Sequence, residues 1–76
     1  MPRLPVVSGK EVIKALSKAG FSVVRQKGSH VRLEKTQGEK IIKLTVPFHK
    51  ELKKGTLGKI VDDAGMTMEE FVRLLG

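Results

Sequence analysis

The stretch that most constrains the fold is residues 21–47, FSVVRQKGSHVRLEKTQGEKIIKLTVP. It holds three runs rich in β-branched and apolar residues, separated by two glycine-bearing turns, which predicts three antiparallel strands in a meander. Gly28-Ser29 is a glycine-first pair suited to a two-residue type II′ turn, and TQGE supplies the second turn. Successive side chains of a strand point to opposite faces. Val31 and Leu33 therefore share one face, and His30 and Arg32 share the other. In the third run Ile42, Leu44 and Val46 turn toward a core while Lys43 and Thr45 turn away, and Pro47, which has no amide donor, closes the sheet.

A sheet with one apolar face needs a cover, and the flanking segments supply it. Ser8 and Glu11 form a capping-box pair ahead of Val12, Ile13, Leu16 and Ala19 at helical spacing, and Gly20 suits a left-handed helix end. Leu57, Ile60, Val61 and Ala64 form a second stripe, with Thr56 expected as its cap, Gly55 as the bend into it and Gly65 at its end. Thr67 and Glu70 repeat the capping logic before Met68, Phe71, Val72 and Leu75. The expected fold class is α+β: α-β-β-β-α in the order of double-stranded-RNA-binding domains, plus a short C-terminal helix, with helices on one face of the sheet. Seventy-six residues allow one domain, expected over 1–76, whose folding hides roughly 60% of the chain's surface.

Fifteen Lys and Arg against eight Asp and Glu give a formal charge of +7, enough to steer polyanions. With no Trp or Tyr and three Phe, base stacking is a poor main source of affinity, so a nucleic-acid partner would be held through its phosphates. The chain has no cysteine, no signal-peptide core near its N-terminus and no run of about 18 apolar residues. A cytoplasmic protein without membrane contact is expected, because the helical stripes are needed for the core.

No phosphate-binding GxxxxGK[ST] loop, dinucleotide fingerprint or zinc spacing is present. His30 and His49, far apart and without a carboxylate pattern, fall short of the three or four ligands a metal site asks for, and no cofactor is expected. His30 lies among Arg25, Lys27 and Arg32. Histidine changes charge near neutral pH and is the side chain most often used for proton transfer. By residue chemistry alone, two readings stand: a solvated turn residue or phosphate donor, and an acid/base. Gly28 and Ser29 would shape the turn, and Gly28 would let a phosphate approach the backbone. A second basic group, Lys53, Lys54 and Lys59 around a helix start at Thr56, reads equally as a phosphate site or a solvated charge run. His49 is open to local hydrogen bonding, RNA contact or proton transfer.

GKEVIKALSKAGFSVVRQKGSHVRL followed by TVPFHKELKKGTLGKIVDDAGMTMEEF closely resembles the HicA-type toxins of bacterial and archaeal toxin–antitoxin pairs. The resemblance runs from about Val7 to Leu75 and rests on three motifs in order: G-F-x-x-x-R-Q-K-G-S-H, V-P-x-H and K-K-G-T-L. It implies a double-stranded-RNA-binding-like fold and a small ribosome-independent endoribonuclease that cleaves mRNA, with the family's catalytic histidine on His30. It also implies a HicB-type antitoxin that covers the histidine and carries the complex to operon DNA. A non-catalytic RNA-binding module of the same fold is the alternative, and an accessory protein docking an acidic partner is a third reading. Asp62 and Asp63 are a modest departure from the family pattern, where neutral or basic residues would be unsurprising.

Overall fold

The structure, a computed structural model, describes residues 6–75; the Pro-punctuated lead before Val6 lies outside the described residues. The elements are α1 (Gly9–Lys18), β1 (Ser22–Lys27), β2 (His30–Gln37), β3 (Lys40–Pro47), α2 (Lys54–Asp63) and α3 (Met68–Leu75). The three strands form an antiparallel sheet in the order β1-β2-β3. This is the α+β, double-stranded-RNA-binding-like arrangement with an added C-terminal helix.

Both turns behave as the sequence predicts. Lys27 pairs with His30, so the loop is Gly28-Ser29 alone; Gly28 takes φ +59 while Ser29 keeps a negative φ, the signature of a type II′ turn. Gln37 pairs with Lys40 across Gly38-Glu39 in the same way. The turns fix the register. Arg32 sits opposite Arg25 on one side and Thr45 on the other, and Leu33 sits opposite Val23 and Leu44. The sequence does not announce a register shift in β1 between Val23 and Arg25. It leaves Val24 without a cross-strand partner on an edge strand that is exposed throughout.

Val31, Leu33, Leu44 and Val46 line the buried sheet face, with Ile42 half-buried beside them. α1 contributes Val12, Ala15 and Leu16, α2 contributes Leu57, Ile60 and Val61, and α3 contributes Phe71, which is completely buried. Removing a side chain of that size from water is worth about 1.5–3 kcal/mol. α3 packs mainly on α1, with Leu74 rather than Val72 against the core beside Met68 and Leu75. The Ser8–Glu11 and Thr67–Glu70 capping boxes both form.

The start of α2 corrects the expectation. Lys53, not Thr56, is the N-cap, with no side-chain hydrogen bond; Thr56 and Gly55 are already inside the first turn, so Gly55 makes no bend. The Leu57 N–H donates to the Lys53 carbonyl at 2.9 Å, closing a turn that seats Leu57 in the core five residues after buried Leu52. A side-chain cap is worth about 1 kcal/mol, less than the burial of one leucine, so packing sets the helix start.

The segment after β3 ties the β1–β2 turn to the start of α1. The Phe48 N–H donates to the Ser29 carbonyl at 2.6 Å, the Gly9 N–H to the His49 carbonyl at 2.9 Å, and the Leu52 N–H to the Val7 carbonyl at 2.9 Å. The β1–β2 turn, the V-P-F-H loop and the start of α1 thus form one hydrogen-bonded unit beside His30.

Candidate active site

The sheet face away from the helices carries the candidate side chains of β1, β2 and β3. Because the Gly28-Ser29 turn sets Lys27 against His30 and Arg25 against Arg32, alternation places all four on that face. β3 adds Thr45 opposite Arg32. Arg25, Lys27, His30, Arg32 and Thr45 together line a cleft of about 260 Å³. The backbone positions of the three cations are set by strand pairing rather than by loop conformation, Arg25 lying just past the register shift in β1. All five side chains are exposed, so the cleft is open to a polymer lying along the face.

His30 and Thr45 also form one wall of a second cleft of about 440 Å³, between β3 and α2. Lys43, Pro47, Thr56, Lys59 and Asp63 complete its polar and rim surface, with Leu44 and Ile60 behind them. A third cleft, of about 270 Å³, holds His49, Glu51, Lys53 and Thr56 on the other side of Pro47. The structure therefore brings Arg25, Lys27 and Arg32 to His30 on one flank and Thr56 and Lys59 on the other. Gly28 and Ser29 form the adjoining turn. His49 and Lys53 stand in the neighbouring cleft, and Lys54, exposed at the start of α2, lines none of the three.

Lys43, Thr45 and Asp63 line the two clefts at His30 although the sequence does not mark them as site residues. Alternation puts Thr45 and Lys43 on the outward face, and counting pairs back from the two turns sets Thr45 beside Arg32. Asp63 has no such signal, because its place in the cleft depends on how α2 packs against β3. Among the described residues, no group of three or more His, Asp or Glu side chains is gathered as metal ligands would be. No helix among them is long and apolar enough to cross a membrane.

Fold and site together define a small, strongly basic α+β domain of the double-stranded-RNA-binding type, with a cation-flanked histidine on its open sheet face. Its sequence places it further: the family model for the HicA toxin of bacterial toxin–antitoxin systems matches residues 9–66, and the chain belongs to that family. It is a toxin of a toxin–antitoxin system, and membership implies an antitoxin partner. The match covers α1, the whole sheet and α2, and ends before α3. No curated protein matches the chain.

Proposed function

We propose that this toxin is a metal-independent endoribonuclease that cleaves mRNA in the cytoplasm, with His30 as its general base. The observation that carries the reading is the cleft in which His30 stands beside Arg25, Lys27, Arg32 and Thr45, in a chain of the HicA family. RNA supplies its own nucleophile. A ring nitrogen of His30 accepts the 2′-hydroxyl proton, the 2′-oxygen bonds to the adjacent phosphorus, and the bond from phosphorus to the 5′-oxygen breaks. The products are a 2′,3′-cyclic phosphate, open to later hydrolysis, and a 5′-hydroxyl end. Arg25, Lys27 and Arg32 offset the charge that builds on the phosphate oxygens, the kind of term that usually dominates catalysis.

The departing 5′-oxygen needs a proton. His49, a lysine or His30 itself after proton uptake would supply it; His49 stands one cleft away, beside Lys53, and would grip the strand with Lys53 and Lys54. Gly28 and Ser29 hold the turn, and Thr56 and Lys59 meet the backbone beyond the histidine. An antitoxin of the HicB type, acidic enough to complement a +7 chain, would silence the enzyme by covering this face. Its DNA contact would come through the antitoxin, and release under stress would free the nuclease. The chain acts as one domain over 1–76.

Parallel expression of the wild type and His30→Ala, at matched protein levels, tests the reading. Growth arrest with the wild type and normal growth with His30→Ala are expected. Equal growth in both cultures would overturn it.

A further inference from the structure

We propose that the cleft between β3 and α2 is a nucleobase subsite, in which Asp63 selects bases bearing an exocyclic amine and turns away uracil. The substrate class rests on the nuclease reading above; the subsite rests on the cleft's own chemistry. The 260 Å³ and 440 Å³ clefts share His30 and Thr45, so a strand whose phosphate lies among Arg25, Lys27 and Arg32 has its next nucleotide at the mouth of the second.

The two clefts are chemically unlike. The first has three cations and no acid among its lining residues. The second has the Asp63 carboxylate, which opposes a phosphate at contact distance, and a floor made by half-buried Pro47 and the edges of the core residues Leu44 and Ile60, which a phosphate would gain nothing by covering. Its volume is within the range of small-ligand pockets. A flat, neutral ring with polar edges fits these surfaces, and the base is the part of a nucleotide that answers to that description. Lys43 and Lys59 are left for the phosphates on either side.

Asp63 sets the selectivity. A carboxylate only accepts hydrogen bonds. Cytosine and adenine offer it an exocyclic amine, and guanine offers adjacent ring and amine donors. Uracil offers a ring N–H between two carbonyl oxygens, and those oxygens would face the carboxylate. Single-stranded RNA is commonly read in this manner, through the hydrogen-bonding edges of unstacked bases. Asp62, one residue earlier and exposed, is not part of the cleft.

Cytosine and uracil differ in outline only by amine against carbonyl, which makes the test specific. Two readouts are taken: wild-type cleavage sites mapped on a randomised single-stranded RNA, and binding of the wild type to short 2′-O-methyl oligocytidylate and oligouridylate, which lack the nucleophile, by fluorescence anisotropy. We expect uracil to be depleted at one position beside the cut and oligocytidylate to bind at least about fivefold more tightly. Asp63→Asn, whose amide also donates, should bring the two oligomers to within about twofold. Cutting without base preference, together with equal binding of the two oligomers by the Asp63-bearing protein, would overturn the subsite and leave the nuclease standing. Absent cutting with the binding preference intact would overturn the nuclease and support the subsite. The preference of the Asp63-bearing protein decides the matter even if Asp63→Asn fails to fold.

Discussion

At the scale of single residues, the site depends on side chains that add little to the core and on glycines that do. His30, Arg25, Lys27 and Arg32 are exposed, so replacing them should leave the fold intact and alter function alone. Gly9 is the opposite case. A β-carbon there would strike the Pro47 carbonyl oxygen and come within 2.9 Å of the Phe48 Cα, both of them backbone atoms that cannot step aside as a side chain can. Gly9→Ala should therefore destabilise by about 1–3 kcal/mol, read from the urea midpoint. It should also reduce RNA cleavage, because the displaced segment holds the hydrogen bond from Phe48 to Ser29 beside the histidine. An unchanged midpoint would show that the start of α1 does not press on this loop. Nothing in the sequence marks Gly9 as different from any glycine near a helix start; only the close passage of the chain after β3 reveals it.

At the scale of elements, the sequence was most legible where local chemistry decides conformation. Alternation in β2 and β3, the two glycine turns and both capping boxes are local, and each appears in the structure as the residues predict. Where packing outweighs local preference the reading failed: α2 starts at Lys54 without a side-chain cap, β1 shifts register at Val24, and Leu74 takes the place expected for Val72. The short α3 shows the local rule at work. The Thr67 backbone N–H donates to Glu70 Oε1 at 3.0 Å, and the Glu70 N–H donates to Thr67 Oγ1 at 3.1 Å. Those bonds with Thr67, the backbone one foremost, hold the Glu70 carboxyl below its ordinary value of 4.5, with Arg73 adding a smaller effect. A lowered folded-state pKa contributes stability that is fully present above about pH 4.5 and is lost as pH falls through the lowered value. Glu70→Gln keeps an acceptor for the capping box but removes the titration. Melting temperatures across the acid range should accordingly fall less steeply for Glu70→Gln than for the wild type; parallel curves would contradict that role for Glu70.

At the scale of the whole molecule, the sheet divides the chain's tasks. One face is spent on the core that α1, α2 and α3 close, and the other carries the histidine and its cations. The three ordered motifs made the family legible, and the charge of +7 is what raises the expectation of a polyanionic partner. The asymmetry of the site was not legible, because it arises where α2 meets β3: a cationic cleft on one side of His30 and a mixed cleft with Asp63 on the other. That charge alone would also suit a binding module, which would grip RNA in a steeply salt-dependent way and leave it intact. A nuclease needs more than charge: proton transfer at one side chain, His30. The most direct measurement is cleavage of single-stranded RNA by purified toxin in excess EDTA, for the wild type and for His30→Ala shown by circular dichroism to be folded. Cyclic-phosphate and 5′-hydroxyl ends from the wild type, and a loss of at least about a hundredfold in rate for His30→Ala, are expected. Intact RNA after incubation with folded wild-type protein, or equal cutting by the two proteins, would contradict the account.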